Sequence, residues 1–346
     1  MTTRSTRTSL ARYVTAQWWA SPAWTLVDFL KFERRAHERS IVLVRVFYAA
    51  SLVWALQQVG SWPQHADREI VNPLWPAAWW FDWVSVRTGV NIIIAAYLGS
   101  SLLAMLFPER RLARAAYAFT LLQHMALVNS FFKINHSMHA WFFMSAVLVL
   151  LPDGRWRSRH RISDRHDFLS VVWCSQLVIL LFYTLTGVWK VAMAVSQFVA
   201  GEVSAFHFHG FSLILADRLL ASDAESVIGD VLVRQEMLGW ALFLGTMYLE
   251  SASIVVAFRP RLHRIWGVGL ILFHIGTHLA MRISFPPNVL LLGLFLVNSP
   301  FLPDRFELKA TVLDLPVVRF CARTLVPLVE RTSLRQPVPR LDEGTT

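Results

Sequence analysis

Runs of apolar residues, each about 20 residues long and separated by short polar segments, dominate the pattern of the chain. An α-helix needs about 20 such residues to cross the hydrocarbon core of a bilayer. Proline or polar residues follow several of the runs, where a helix is expected to end. We therefore predict eight membrane-crossing helices, at residues 41–59, 91–107, 112–129, 136–151, 168–193, 237–258, 265–281 and 288–302.

Composition supports this pattern. Of the 346 residues, 55% are hydrophobic and 16% are charged, and the mean hydropathy is +0.44. Soluble domains carry about 25% charged residues, so the composition excludes a disordered chain and argues against a soluble enzyme. The two cysteines, Cys174 and Cys321, indicate neither a disulfide framework nor a cysteine metal site. The predicted fold class is an all-α, polytopic membrane helix bundle of about eight transmembrane helices.

The two ends of the chain predict interfacial helices that flank the bundle. Residues 9–30 mix tryptophan with charged and polar residues, as helices lying along a bilayer surface do. The C-terminal stretch alternates apolar segments with basic residues. The predicted organisation is a cytoplasmic or interfacial segment at 1–38, a transmembrane domain at 39–303 and a basic cytoplasmic tail at 304–346.

The net charge of +10 is explained by membrane topology. With both termini placed in the cytoplasm, 25 of the 33 Lys and Arg residues fall in inner segments and 6 in outer segments. This asymmetry follows the positive-inside rule, so no nucleic-acid partner is expected. The chain is predicted to be a multi-pass membrane protein with both termini cytoplasmic.

With Arg114 at the start of the third crossing counted in the inner segment, Arg45, Lys190 and Glu250 are the Lys, Arg, Asp and Glu residues predicted to lie inside the membrane. An ionised group there costs about 2.5–3.5 kcal/mol, so each should face the bundle interior. Arg45 and Glu250 both fall in the predicted inner halves of their helices, and we predict a structural ion pair between them, although other partners remain open.

Lys190, near the predicted outer end of the fifth crossing, has two interpretations. Its ammonium group can reach the interface along its aliphatic stem. Alternatively, Tyr183 and Gly187 on the same helix face form a pocket in which desolvation favours the neutral amine, which can act as a base.

Two groups of histidines are further candidates. Asn135, His136 and His139 lie at the mouth of the third and fourth crossings, either as a helix cap with interfacial histidines or as a polar wall for a quinone oxygen or an anion. His274 and His278 are four residues apart, a spacing that suits a metal. No third ligand is evident in the same helix, so we expect hydrogen bonding there and no metal.

At these residues the chain resembles the vitamin K-dependent γ-carboxylase family and, more broadly, the bacterial HTTM (horizontally transferred transmembrane) proteins. The resemblance covers residues 39–303 in matching order. Its pieces are residues 43–46, 135–137, 183–190, the segment from Glu250 onward, Phe273 with His274, and 298–300. It implies a bacterial inner-membrane member without the large luminal domain of the animal enzymes. Trp189 stands where those enzymes carry a second lysine, and the acidic residue that follows their lysine is missing.

The resemblance also implies a reaction. A reduced quinone, either vitamin K hydroquinone or a menaquinol-like molecule, would react with oxygen at an outward-facing site, with possible coupling to carboxylation of a peptide glutamate by carbon dioxide. An active chain would then be a lyase or quinol monooxygenase. Lys190 would be the catalytic base, and Asn135 and His136 would orient the quinol oxygens. The quinone would contact Tyr183, Gly187, His139, His274 and His278.

Two other functions remain open from the sequence. One is a non-enzymatic membrane protein that binds a peptide or protein partner, as in toxin maturation or immunity. The other is a proton-coupled transporter, which the pattern favours less because paired broken helices and inverted halves are not evident.

Overall fold

The computed structural model describes most of the chain from residue 26 onward. The described residues are 26–60, 62, 65, 67, 79–131, 136–158, 162–223 and 225–318. Every regular element among them is helical and none is a β-strand, which confirms the predicted all-α fold class of a membrane helix bundle.

The helices of the described chain vary widely in length. In order they are α1 (Leu26–Val59), α2 (Val86–Leu106), α3 (Arg111–Ser130), α4 (His139–Leu148), α5 (Ile162–Val199), α6 (Gly210–Ser222), α7 (Gly229–Arg234), α8 (Glu236–Ser251), α9 (Ser253–Ala257), α10 (His263–Met281), α11 (Pro286–Leu292) and α12 (Leu308–Asp314). Short 3₁₀ turns cover Trp79–Trp83, His136–Met138, Trp156–Ser158 and Pro260–Leu262, and a π-helical turn covers Gly293–Val297.

Four helical segments are long and apolar enough to cross a membrane. They are Val27–Val59, Val86–Leu106, Ile162–Val199 and Pro260–Met281, which correspond to α1, α2, α5 and α10. The other four predicted crossings coincide with α3, with α4, with the α8–α9 pair, and with α11 and its π-helical turn. The chain is therefore membrane-embedded, whereas the count of eight crossings and the orientation of the termini stay predictions.

Helix α1 is longer than the predicted first crossing, because it begins at Leu26 rather than at residue 41. It runs without a break through residues 38 and 39, where the sequence predicted the start of the transmembrane domain. The N-terminal part of α1 is polar, and its Glu33 accepts a hydrogen bond of 3.1 Å from Arg165 of α5. Most of the predicted interfacial segment at residues 9–30 lies outside the described residues.

The chain divides into two compact units, Met1–Leu302 and Pro303–Thr346. The first unit contains α1 to α11. In the second, α12 is a short helix in which the Thr311 hydroxyl donates to the Glu307 carbonyl at 2.8 Å. Residues 319–346 of the predicted basic tail lie outside the described part.

Helix α5 is central to the first unit and packs against α1, α4, α8 and α9. Its buried Gln176 donates from Nε2 to the Phe295 carbonyl at 2.6 Å and to Ser299 Oγ at 3.0 Å. Phe295 belongs to the π-helical turn, where the regular helical hydrogen-bond ladder is interrupted. Ser299 also shares a hydrogen bond of 2.8 Å with His263 Nδ1. These contacts attach the π-helical turn and the residues that follow it to α5 and α10.

An interruption at Ala252, between α8 and α9, positions the functional site. The Ile254 N–H donates to Thr184 Oγ1 at 2.8 Å, and Trp173 Nε1 donates to the Ala257 carbonyl at 3.0 Å. These contacts fix α5 antiparallel to α8 and α9. The last turn of α8 consequently lies at the level of the Gly187–Lys190 turn of α5.

Candidate functional site

A charged pair joins α5 to α8 inside the bundle. Lys190 Nζ donates to both carboxylate oxygens of Glu250, at 2.7 Å each. The side chain of Glu250 is 2% exposed and that of Lys190 is 34% exposed. Removing a carboxylate from water costs several kcal/mol unless a counter-charge and hydrogen bonds compensate it. Lys190 supplies both.

The predicted ion pair between Arg45 and Glu250 is wrong. Arg45 donates instead to Glu109 Oε1 at 2.8 Å, and its side chain is 44% exposed. The sequence placed Lys190 too close to the outer surface of the membrane, because the fifth crossing was predicted to end at residue 193. Helix α5 runs on to Val199, so Lys190 lies about 13 Å before its end and at the level of Glu250.

Gly187 allows α5 and α8 to approach closely. A Cβ atom at this position would lie 2.7 Å from both the backbone nitrogen and Oγ of Ser251, and 3.0 Å from Glu250 Cβ. These contacts give Gly187 a role in the close packing of α5 against α8. Since Gly187 precedes Lys190 by about one turn, the close approach brings the amine to the carboxylate.

A hydrogen bond between α5 and α10 lies beside the pair. Tyr183 Oη and His274 Nε2 are 2.6 Å apart, and both side chains are buried. Trp266 holds α10 in place, because its Nε1 donates to Ser253 Oγ at 2.9 Å and to the Leu249 carbonyl at 3.2 Å. The structure thus brings together two of the predicted quinone-binding residues.

The second ring nitrogen of His274 makes no hydrogen bond to the described part of the chain. This Nδ1 atom is buried. Two aromatic rings line the same region: Phe285 lies 5.4 Å from the imidazole between ring centroids, and the Lys190 ammonium lies 5.5 Å from the centre of the Phe273 ring. Phe285 is not among the predicted site residues; its signal in the sequence is its place immediately before Pro286 and Pro287, where α11 begins.

His278 differs from His274 although both lie on α10. Its side chain is exposed, whereas His274 is 5% exposed and its Nε2 contacts the Tyr183 hydroxyl. Within the described residues, no group of three or more His, Cys, Asp or Glu side chains is arranged to hold a metal ion.

The histidines of the predicted mouth contact each other. The Nδ1 atoms of His136 and His139 are 3.0 Å apart, so one ring donates to the other. Asn135, the third predicted residue of this group, lies outside the described residues. The His136–Met138 turn and α4 both pack against α11, the helix that follows Phe285. The described contacts therefore lead from the histidine pair to α11, and from Phe285 to His274, without a direct bond to Lys190.

The Lys190–Glu250 arrangement permits proton exchange. The ammonium group contacts both carboxylate oxygens, so a proton can pass from nitrogen to oxygen with little movement of either side chain. The transferred form contains a neutral amine and a neutral carboxylic acid, and it leaves no buried charge. That form offers the nitrogen lone pair that a general base requires.

Comparison of the chain with models of protein families, with curated proteins and with solved structures gives no significant match. The resemblance to the γ-carboxylase and HTTM families therefore rests on the residues quoted above.

Proposed function

We propose that the chain is an integral membrane enzyme that deprotonates a reduced quinone at the Lys190–Glu250 pair and couples its oxidation by oxygen to epoxide formation. The observation that carries this proposal is the contact of one lysine amine with both oxygens of a buried carboxylate, between two helices of the membrane bundle. Ionisable residues at such positions are functional candidates by default.

The surroundings of the pair suit a quinone. Phe273 and Phe285 offer aromatic faces to a flat ring, and such rings prefer offset or edge contacts. His274 Nδ1 is a buried polar atom that has no hydrogen-bond partner among the described residues. A quinol hydroxyl or a quinone carbonyl would satisfy it, because a neutral imidazole nitrogen donates or accepts according to its tautomer.

Each residue then has a distinct role. Lys190 accepts a proton from a quinol hydroxyl, and Glu250 holds the proton that leaves the ammonium group. Tyr183 fixes the His274 ring through its 2.6 Å hydrogen bond, so that Nδ1 is directed at a quinone oxygen. Oxidation of the quinol to the quinone level supplies two electrons and formation of the epoxide supplies two more, so that one reduced quinone and one oxygen molecule give one quinone epoxide and one water. The resemblance extends the proposal to removal of a glutamate γ-proton and uptake of carbon dioxide.

The test is quinol-dependent turnover by the purified full chain in lipid nanodiscs. Reduced vitamin K and reduced menaquinone are supplied separately, oxygen uptake is recorded, and the epoxide is quantified by chromatography. Lys190→Arg and Lys190→Ala should each lower epoxide formation at least 100-fold, because arginine keeps the charge but does not give up a proton in a protein. Glutamate peptide and labelled carbon dioxide then test the coupled carboxylation.

Thr186→Ala is the matched control. Thr186 is exposed on the same helix, and among the described residues its hydroxyl donates to the Phe182 carbonyl of its own helix, at 2.9 Å. This variant should keep wild-type turnover. Full activity in Lys190→Arg would refute the base assignment. Absence of turnover in folded wild-type protein with both quinols would favour the non-enzymatic, partner-binding alternative.

A further inference from the structure

The first turn of α11 carries a buried polar atom without a partner. Asn288 Oδ1 is buried and has no hydrogen-bond partner among the described residues. Leu291 and Leu292, three and four positions later, share its helix face, and both are 0% exposed. Asn288 is therefore a polar residue at the start of an apolar, buried face.

An asparagine at such a position is unfavourable unless its amide finds a partner. An acceptor that loses its water on folding and gains no protein donor lowers the stability of the protein, whereas an apolar side chain of similar size carries no such cost. Buried polar groups of this kind call for an explanation, and a ligand that supplies the missing donor is one. The side-chain amide also offers an N–H donor to such a ligand.

Contacts along α10 and α11 connect Asn288 to the His274 site. The Asn288 backbone N–H donates to the Phe285 carbonyl at 3.0 Å, and the Phe285 ring lies 5.4 Å from the His274 imidazole between centroids. Helix α11 packs against α10, which carries His274, and against α4 and the His136–Met138 turn. His274 Nδ1 and Asn288 Oδ1 are thus two buried polar atoms without described partners, on adjacent helices that Phe285 links.

A 1,4-quinol carries a hydroxyl at each end of its ring, and the proposed reaction deprotonates one of them at Lys190. We propose that Asn288 binds the other hydroxyl, with Oδ1 accepting its hydrogen, while His274 Nδ1 bonds the oxygen beside Lys190. This inference rests on the proposed function and restricts its substrates to 1,4-quinols with both oxygens free. When oxidation has converted the second hydroxyl into a carbonyl, the amide Nδ2 can donate to it.

Anaerobic binding tests this contact separately from catalysis. Reduced menadione (2-methyl-1,4-naphthohydroquinone) and 2-methyl-1-naphthol have the same planar ring, but the naphthol has a single hydroxyl. Equilibrium dialysis against the full chain in nanodiscs, corrected with empty nanodiscs for partition into lipid, gives both dissociation constants. One hydrogen bond changes an affinity by about tenfold. The wild type should therefore bind the hydroquinone about tenfold more tightly than the naphthol, and Asn288→Leu should reduce this ratio to about one.

Asn91→Leu is the matched control, because Asn91 is an exposed asparagine in the first turns of α2. It should keep the wild-type ratio. An unchanged ratio in Asn288→Leu would overturn the inference, because the amide oxygen would then bond solvent and not the ligand. Equal affinity of the wild type for the two compounds would overturn it as well.

Unfolding without ligand tests whether Asn288 only supports the fold. Leucine has a similar size and leaves no buried oxygen unpaired, so ligand-free Asn288→Leu should resist sodium dodecyl sulfate at least as well as the wild type. Loss of function with retained or increased stability is typical of a residue kept for ligand binding. A less stable variant would show that the side chain holds the helices together and would contradict the binding role.

The results for this contact and for the proposed reaction are distinguishable. Hydroquinone binding that depends on Asn288, in a protein without oxygen-dependent turnover, would support this site and refute the reaction. Turnover together with an unchanged binding ratio in Asn288→Leu would support the reaction and refute the role of Asn288.

Discussion

Removing Lys190 should destabilise the bundle more than removing Glu250, although the two form one pair. Lys190→Met leaves a carboxylate that is 2% exposed without its counter-charge, and breaking a buried pair in this way costs about 3–5 kcal/mol. Glu250→Gln leaves a lysine that is 34% exposed and can extend its amine towards water. With that exposure and the remaining amide acceptor, we expect a cost of about 1–2 kcal/mol.

The double variant Lys190→Met/Glu250→Gln gives a sharper prediction, which concerns the sign of the change in unfolding free energy caused by Glu250→Gln. Glu250→Gln should destabilise the wild type but stabilise the Lys190→Met variant, because there it removes the uncompensated charge. The coupling free energy between the two sites should be about 2–3 kcal/mol, near the upper end for residues in direct contact. A pair that merely lay close together without sharing charge would give additive losses.

The assay is reversible unfolding by sodium dodecyl sulfate in mixed micelles, followed by circular dichroism. Arg45→Met serves as the control, because it also removes a basic residue from a predicted crossing but breaks a half-exposed pair with Glu109. Its cost should be below about 1 kcal/mol and should add to that of Glu250→Gln without coupling. If Glu250→Gln remains destabilising in the Lys190→Met background, or couples to Arg45→Met instead, the assignment of partners is refuted.

Other substitutions test the packing around the pair in the same unfolding assay. Gly187→Ala should cost about 1–3 kcal/mol, since its Cβ would lie 2.7 Å from Ser251 on the facing helix, and a loss below that range would contradict the close approach. Gly276→Ala on α10 is its control and should stabilise the helix by up to about 1 kcal/mol, because no atom lies within 4 Å of the added carbon. Tyr183→Phe should cost about 0.6 kcal/mol, a typical value for a hydrogen bond within a membrane bundle, and it should leave His274 with a faster-exchanging ring proton by nuclear magnetic resonance. Unchanged exchange at His274 would show that the bond does not hold the ring.

The helical state of the apolar runs was predictable from the sequence. A backbone surrounded by hydrocarbon must satisfy its N–H and C=O groups locally, and a helix does so with bonds inside one segment. The helical period placed Tyr183, Gly187 and Lys190 on one face of α5, because side chains three and four positions apart share a helix face. The structure confirms this: the first two are buried and the third is half-buried against α8. Local periodicity was sufficient for these conclusions.

The choice of partners was decided by the tertiary structure. Lys190 and Glu250 are 60 positions apart, and Tyr183 and His274 are 91 positions apart. Whether such residues meet depends on where each helix ends and how the helices are offset along their axes. Hydropathy locates an apolar run but not the continuation of α5 to Val199 or the interruption at Ala252. The continuation alone places Lys190 about 9 Å, or nearly two turns, further from the helix end than predicted, and for this reason the sequence assigned Glu250 to the wrong cation.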